Sequence, residues 1–313
     1  MTTNYTIVFM GTPQFAVPAL NALHGAGHRI ALVITQPDKP KGRGRKVEPP
    51  PVKQAAAKLG LPVIQPASLR EEPALAQLSG LKADFFVVVA FGQILRSNVL
   101  AMPRLGCINV HASLLPRYRG PAPIHWALIN GDTATGVTTM LMDKGLDTGD
   151  ILMTAREPIS PEDTTGSLQA RLAGLGAGLL LETLEGFETG KVRRTAQDHD
   201  QATYAPLLKK NDGRIDWAKP AAAIEPFIRG MTPWPGASTF WEGMRLKLFR
   251  AEVAPAAAAS PPGTVVRVSA SELAVATADG VLSILELQGA SGSRMPVSDF
   301  LRGHRIPVGA MFN

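Results

Sequence analysis

The 313-residue chain has a single cysteine, Cys107, and no apolar run long enough to span a membrane. One cysteine excludes an intramolecular disulfide, which fits a reducing compartment. The first residues contain no basic segment followed by an apolar one, so we expect neither a secretion signal nor an import signal. These absences predict a cytoplasmic protein without a membrane partner, and nothing in the composition demands an oligomer.

Motifs for a bound metal or a dinucleotide are also missing. The six histidines are scattered, and there is neither a C-x-x-C pair nor an H-E-x-x-H motif, so we expect no metal. The turn after the first apolar run reads MGTPQF at residues 10–15 and holds one glycine, without G-x-G-x-x-G. A nicotinamide oxidoreductase is therefore poorly supported, although the predicted fold leaves it open.

Strand-like and helix-like segments alternate through the first half of the chain, which predicts an α/β fold. The architecture we expect is Rossmann-like and doubly wound, with a mostly parallel sheet. Residues 84–90 are apolar on both faces, as in a central parallel strand. The other predicted strands are 5–10, 29–35, 62–65, 136–142 and 151–159, and the predicted helices are 14–26, 51–59, 69–78, 120–129 and 165–188.

Short strand-like segments follow residue 237, and they predict a smaller OB-like β-barrel. They cover residues 238–241, 246–253, 263–268, 273–277 and 281–287. We therefore divide the chain into a catalytic domain at 1–190, a linker at 191–207 and a C-terminal domain at 208–313. Barrels of this type often bind nucleic acid, although such a domain could also only pack against the first.

Two polar residues mark the end of an apolar strand that begins at Cys107. Asn109 and His111 are two residues apart, so they point to the same face where the strand ends. Both side chains donate hydrogen bonds and could stabilise an oxyanion, with a carboxylate from the turn at residues 142–150 to orient the histidine. Alternatively, they only satisfy turn backbone. Cys107 could be a nucleophile, but a small buried hydrophobe is the simpler interpretation.

Positive charge is concentrated in residues 39–53, KPKGRGRKVEPPPVK. Six basic residues minus one acidic residue give +5 of the formal net charge of +6. Because this segment also holds four prolines and two glycines, we expect no regular secondary structure in it. It is either a solvated loop or an arm that becomes ordered on a phosphate backbone.

These residues resemble a known family. Asn109-x-His111, the run SLLPRYRG at residues 113–120 and then Asp147 together resemble the signature of the 10-formyltetrahydrofolate-dependent formyltransferases. The resemblance implies a formyl-transfer site whose catalytic residues are Asn109, His111 and Asp147. It also implies a folate site formed by Gln93, Ile94, Leu95, Ser113, Leu114, Leu115 and Pro116. Ile94 and Leu95 could instead be core residues, and Tyr118 stands where the family often has tryptophan.

The run MGTPQFAVP at residues 10–18 is typical of the branch of this family that acts on methionyl initiator tRNA. The expected reaction transfers the formyl group of 10-formyltetrahydrofolate to the amino group of that aminoacyl-tRNA. The branch uses a basic loop against the tRNA acceptor arm, and here it would consist of Lys39, Lys41, Arg43, Arg45 and Lys46. Other acceptors (glycinamide ribonucleotide, an amino sugar nucleotide or water) and a non-catalytic tRNA-binding module remain alternatives.

Overall fold

The computed structural model describes residues 4–41, 46–255, 260–290 and 292–313. The chain divides into two compact units. The first comprises residues 1–123, 135–158 and 169–205, and the second comprises 124–134, 159–168 and 206–313. The sequence predicts a first domain that ends at residue 190 and a second that begins at residue 208, and these boundaries remain predictions. Within the described ranges, none of the helices combines the length and apolarity that crossing a membrane requires.

Regular elements occur throughout both units. The strands are β1 (Thr6–Gly11), β2 (Arg29–Ile34), β3 (Lys39–Lys41), β4 (Lys46–Glu48), β5 (Val63–Ile64), β6 (Phe85–Val89), β7 (Gly106–His111), β8 (Ala134–Leu141), β9 (Ile151–Pro158), β10 (Ala237–Trp241), β11 (Met244–Ala254), β12 (Val265–Val268), β13 (Leu273–Ala276), β14 (Val281–Gln288) and β15 (Met295–Pro296). The helices are α1 (Val17–Gly25), α2 (Pro51–Lys58), α3 (Glu72–Ser79), α4 (Ser97–Leu100), α5 (Pro123–Ile129), α6 (Thr165–Glu188), α7 (Ala221–Gly230) and α8 (Val297–Gly303).

The first unit is built on a seven-stranded sheet in the order β5-β2-β1-β6-β7-β8-β9. The pairs from β5 to β7 are parallel, and β8 lies antiparallel to β7. All five residues of β6 are buried, as the apolar run predicted for a central strand. The chain first builds β1, β2 and β5 toward one edge and then places β6 on the other side of β1. The predicted Rossmann-like, mostly parallel sheet is confirmed, and its topological switch point lies between β1 and β6.

The helix predicted to begin near residue 120 begins three residues later, at Pro123. Tyr118 has φ +61° and Gly120 has φ +111°, so the backbone there is left-handed and cannot start a right-handed helix. Ala122 donates its N–H to the carbonyl oxygen of Ala205. A proline does open the helix, but it is Pro123 rather than Pro121.

The expectation that residues 39–53 form no regular structure was wrong. Strands β3 and β4 pair antiparallel, with Lys39 opposite Glu48 and Pro40 opposite Val47. A two-stranded ribbon has no further neighbour, so a proline with no N–H to donate is tolerated in it. Residues 42–45, which connect the two strands, lie outside the described part of the chain.

An antiparallel sheet in the order β10-β11-β14-β13-β12 forms the centre of the second unit, with β15 added beside β14. The last residues of the chain bond to both edge strands. Phe240 of β10 and Asn313 exchange two backbone hydrogen bonds, at 2.9 and 3.0 Å. On the other edge, Val265 of β12 donates to the carbonyl oxygen of Ala310 at 2.8 Å. The terminal segment therefore covers backbone groups that an open sheet would leave unpaired at both edges.

Two helices of the second unit were missed because the sequence pattern suggested only β structure after residue 237 and no element between 217 and 237. Helix α7 carries Pro226 in its interior, and a proline there normally argues against a helix. Helix α8 has only seven residues, too few for a clear helical periodicity. Short or proline-containing helices of this kind depend on tertiary packing rather than on local signals.

Helix α6 offers a matched test of how closely it packs on β7. An ideal Cβ at Gly176 would lie 2.9 Å from Cγ1 of Val110, whereas a Cβ at Gly174 would meet nothing within 4 Å. We expect Gly174→Ala to stabilise the fold by about 0.5–1 kcal/mol through helix propensity. Gly176→Ala gains the same propensity but overpacks the core, at a cost of about 1–3 kcal/mol.

Urea unfolding of the two variants should therefore place Gly176→Ala below Gly174→Ala in free energy of unfolding. Because both variants make the same chemical change in one helix, their difference isolates the packing contribution at Val110. Equal stabilities would show that α6 does not press on the strand that carries Asn109 and His111.

Candidate active site

Strand β7 places two polar side chains at its carboxyl end. Asn109 lies opposite Met140 of β8, and His111 is the last residue of the strand, opposite Thr138. The side chains share one face of the sheet because they are two residues apart. Asn109 is 9% exposed and His111 is 6% exposed. Both are thus largely withdrawn from water, which strengthens any charge interaction that they make.

The turn that follows β8 brings Asp147 to these two side chains. Oδ1 of Asp147 lies 3.4 Å from Nδ2 of Asn109, and Oδ2 lies 3.7 Å from Nδ1 of His111. The backbone N–H of Gly120 donates to Oδ2 at 2.8 Å. The structure therefore brings together the three residues predicted to be catalytic, although Asp147 lies 38 residues after Asn109 in the chain.

The hydrogen bond to Tyr118 determines which ring nitrogen of His111 carries a hydrogen. Nε2 lies 2.9 Å from the carbonyl oxygen of Tyr118, and a carbonyl oxygen can only accept, so Nε2 carries the hydrogen. Nδ1 is then the ring nitrogen that faces the Asp147 carboxylate. Because Nδ1 faces the carboxylate at 3.7 Å, the pair is arranged to pass a proton through Nδ1.

Cys107 lies on the same strand but does not take part in this cluster. The residue is 2% exposed and packs in the core beside Val99 and Phe86. Burial raises the pKa of the Cys107 thiol to about 12. Because the thiolate is the nucleophilic form, a thiol that stays protonated at neutral pH is a core group rather than a nucleophile. The interpretation as a small buried hydrophobe is confirmed.

The residues assigned to folate binding lie in two loops at the carboxyl ends of β6 and β7. After β6, Ile94 is 84% exposed, whereas Leu95 belongs to the hydrophobic core. The side-chain amide of Gln93 accepts the N–H of Leu69 at 2.9 Å and donates to the carbonyl oxygen of Pro66 at 3.2 Å. Gln93 thus ties its loop to the segment before α3.

After β7, the loop is held by hydroxyl groups. Ser113 donates through Oγ to the carbonyl oxygen of Arg117 at 2.6 Å, and Thr138 of β8 donates to the carbonyl oxygen of Ser113 at 2.7 Å. Leu115 is buried, while Leu114 and Pro116 stay partly exposed. The accessible apolar surface of the two loops therefore comes from Ile94, Leu114 and Pro116.

Part of the basic loop can be described. Lys39 is exposed at the start of β3. Lys41 and Lys46 belong to β3 and β4 by their backbone, and Arg43 and Arg45 lie outside the described residues. Farther along, Lys53 bonds Asp38 at 2.7 Å, and this hydrogen bond lowers the pKa of the Asp38 carboxyl group. Lys53 thus already has an acidic partner. The basic loop remains defined by Lys39, Lys41, Arg43, Arg45 and Lys46.

Some residues that contact the candidate site lie in the segment after α6 and were not predicted from the sequence. Gln197 and Arg119 are buried and hydrogen-bonded to each other, and Thr203 accepts the backbone N–H of Tyr118 through Oγ1 at 2.8 Å. The polar composition of residues 191–207 predicts a linker, and no local signal marks Gln197. Among the described residues, no group of three or more His, Cys, Asp or Glu side chains is arranged to hold a metal ion.

Known formyl transferases match this chain over nearly its whole length. The sequence profile of the formyl transferase family matches residues 5–184, and the profile of the formyl transferase C-terminal domain matches residues 207–305. The methionyl-tRNA formyltransferase of Trichlorobacter lovleyi is 49% identical over 309 residues, covering 99% of this chain and 97% of that protein. The methionyl-tRNA formyltransferase of Pelobacter propionicus is 51% identical over 306 residues, covering 98% and 95%.

Solved structures share the fold at lower identity. An N-formyltransferase from Helicobacter canadensis, solved with folinic acid and dTDP-3-aminofucose, matches with a TM-score of 0.69 at 18% identity. The match covers 94% of this chain and 100% of that chain. With half of its residues identical to curated relatives over nearly its full length, this chain belongs to the formyl transferase family and, within it, to the methionyl-tRNA formyltransferases, which are one-carbon transferases.

Proposed function

We propose that this chain transfers the formyl group of 10-formyltetrahydrofolate to the amino group of methionyl initiator tRNA, giving formylmethionyl-tRNA for translation initiation. The observation that carries the proposal is the convergence of Asn109, His111 and Asp147 at the carboxyl end of β7. Two hydrogen-bond donors and one carboxylate are the groups that transfer of a formyl group to an amine requires. The family to which the chain belongs supports the same reaction.

In this reaction the amine nitrogen attacks the formyl carbon, and the formyl oxygen becomes negatively charged. The bond from that carbon to the folate nitrogen then breaks, and a proton moves from the attacking nitrogen to the leaving nitrogen. Asn109 is assigned as a donor to the oxyanion. Its Nδ2 makes only a long contact, 3.4 Å, with Asp147, and its second N–H can turn to a substrate oxygen.

His111 acts through Nδ1 in this scheme. Its Nε2–H already donates to the carbonyl oxygen of Tyr118, so Nδ1 is the atom that can donate to the oxyanion or move a proton. Asp147 stabilises the protonated ring and helps to withdraw the proton from the attacking nitrogen. The N–H of Gly120 holds Oδ2 of Asp147 at 2.8 Å, which leaves Oδ1 free to face Asn109 and the substrate.

The formyl donor is placed against the two loops that follow β6 and β7. A pterin ring needs an apolar surface and a few polar contacts, and Ile94, Leu114 and Pro116 offer accessible apolar surface there. We assign the rest of the predicted set a supporting role. Gln93, Leu95, Ser113 and Leu115 hold the loops through hydrogen bonds or core packing.

The tRNA is assigned to the basic loop and to the C-terminal domain. Lys39, Lys41, Arg43, Arg45 and Lys46 carry charges that neutralise phosphates of the acceptor arm. The C-terminal domain (residues 208–313) is proposed to be an OB-like barrel that binds tRNA, since its last residues bond to both edge strands of its sheet. A cytoplasmic monomer is consistent with a substrate that is made and used in translation.

A formyl-transfer assay tests the proposal directly. Purified protein is given 10-formyltetrahydrofolate and one of four acceptors: methionyl initiator tRNA, methionyl elongator tRNA, glycinamide ribonucleotide or an amino sugar nucleotide. We expect fast transfer to the initiator tRNA alone. Transfer to a small amine instead would replace the proposed acceptor, and release of formate without an acceptor would indicate hydrolysis.

Substitutions at the candidate catalytic residues should lower kcat and leave KM for the folate nearly unchanged. Loss of one oxyanion donor costs about 10²–10³ in rate, so we expect that loss for Asn109→Ala and for His111→Ala. Asp147 is best replaced by asparagine, because its φ of +53° is left-handed and asparagine tolerates that conformation better than alanine. Steady-state kinetics with saturating tRNA gives the measurement.

Cys107→Ala is the matched control for these variants, since Cys107 lies on the same strand and has a core role. It should retain kcat within about threefold, because it removes a small apolar contact and no reacting group. Near-normal kcat in Asn109→Ala would refute the assigned chemistry, and loss of kcat in Cys107→Ala would mean that packing of β7 explains the losses.

Replacing Arg43 and Arg45 by alanine should raise KM for tRNA and leave kcat at saturation unchanged. Each lost phosphate contact flattens the dependence of log K on log salt by about 0.7–0.9, so two contacts should remove about 1.4–1.8 from the slope. The control is Arg29→Ala with Lys58→Ala, which removes equal charge from exposed positions at the start of β2 and the end of α2. A slope that falls equally in both double variants would assign the effect to net charge rather than to the basic loop.

A further inference from the structure

Residues 195–205, the strap, connect two loops of the candidate site. At one end, Thr195 and Ile151 exchange two backbone hydrogen bonds, at 2.8 and 2.9 Å. At the other end, Arg119 donates its N–H to the carbonyl oxygen of Thr203 at 2.8 Å, and Ala205 donates to the carbonyl oxygen of Arg119 at 2.7 Å. The strap is therefore fixed beside the turn that holds Asp147 and beside the loop that supplies the N–H of Gly120.

Gln197 lies between these two attachments and is 7% exposed. Its Nε2 donates to the carbonyl oxygen of Asp147 at 2.9 Å and to that of Gly149 at 2.8 Å. Both side-chain hydrogens therefore hold the backbone of the Asp147 turn. Asp147 has a left-handed φ of +53°, a conformation that a non-glycine residue keeps only when its surroundings hold it.

The other half of the amide faces Arg119, which is 2% exposed. Oε1 of Gln197 accepts from Nε of Arg119 at 3.0 Å and from Nη2 at 2.7 Å. Nη2 also lies 3.0 Å from Nδ1 of His199, which must accept because a guanidinium only donates. Carbonyl oxygens on one side and a guanidinium on the other determine the orientation of the amide. Glutamine is thus suited to this place because it offers two donors and one acceptor.

We propose that Gln197 is a positioning residue for the transfer reaction. It connects the backbone of Asp147 to Arg119, and the residue after Arg119 supplies the N–H that holds the Asp147 carboxylate. Its hydrogen bonds set the distance of that carboxylate from Asn109 and His111. The effect on rate rests on the proposed function, whereas the effect on the geometry of the turn does not.

Gln197→Glu tests this role with almost no change in shape. The carboxylate keeps an acceptor for Arg119 but loses both donors and turns an oxygen toward two carbonyl oxygens. We expect kcat to fall about 10- to 100-fold, as expected when a reacting group is displaced by a fraction of an ångström to an ångström. KM for the folate and for the tRNA should stay within about twofold, because no substrate contact is removed.

Gln201→Glu is the matched control. It makes the same substitution in the same strap at an exposed side chain, whose Nε2 donates to Asp198 at 2.7 Å. Its kcat should stay within about twofold of the unchanged protein. If Gln197→Glu does not fold, Gln197→Met removes the same two donors without adding charge and takes its place in every comparison.

A double-mutant cycle with Asp147→Asn separates positioning from general destabilisation. If Gln197 acts through the Asp147 carboxylate, Gln197→Glu should cost less than about threefold in kcat once that carboxylate is gone. A structural defect would cost the same in both backgrounds. An equal cost, or no loss of kcat in the single variant, would overturn the proposal.

Hydrogen exchange supplies a measurement that does not depend on activity. Amides of residues 145–150 should exchange faster in Gln197→Glu than in Gln201→Glu, while the melting temperatures of the two stay close. Unchanged exchange there would overturn the positioning role even if the enzyme is active. Faster exchange in a protein that transfers no formyl group would support the role of Gln197 and reject the proposed reaction instead.

Discussion

The carboxylate of Asp147 is the group around which the candidate site is arranged. Oδ2 accepts the N–H of Gly120, and the two oxygens face Nδ2 of Asn109 and Nδ1 of His111 at the end of β7. None of these contacts is local in sequence, so each depends on where the sheet places its strand ends. The left-handed backbone at Asp147 allows the carboxylate to turn back toward the sheet, and hydrogen bonds to the turn maintain that conformation.

The topology of the first unit explains why the site lies where it does. Parallel strands end at the same edge of a sheet, so the loops after β1, β6 and β7 meet on one side. Thr12, which follows β1, donates through Oγ1 to the carbonyl oxygen of Phe91 after β6 at 2.9 Å, across the switch point. Strand β8 runs antiparallel to β7 and ends at Leu141, opposite Ile108, and the turn after it carries Asp147 back to Asn109 and His111. A mixed sheet thus contributes a carboxylate that a purely parallel sheet would have to obtain from elsewhere.

The concentrated positive charge and the candidate catalytic residues lie in separate parts of the chain. The site itself holds the Asp147 carboxylate beside Asn109 and His111, whereas residues 39–53 carry +5 of the formal net charge of +6. Such a division suits an enzyme whose large substrate is held by its phosphates while one small group reacts, because affinity and rate can then be varied independently. The short ribbon β3–β4 gives the basic loop a defined base on the first unit.

The sequence by itself determined the strand–helix alternation, the buried central strand and the pairing of Asn109 with His111 on one face, because periodicity and strand parity are local properties. It also marked Asp147 and the basic residues, through their resemblance to a family. Only the tertiary structure decided that helix α5 begins at Pro123, that β3 and β4 pair, and that Gln197 holds the Asp147 turn. Gln197 lies 50 residues from Asp147, and a hydrogen bond between residues so far apart leaves no periodic or compositional trace in the sequence.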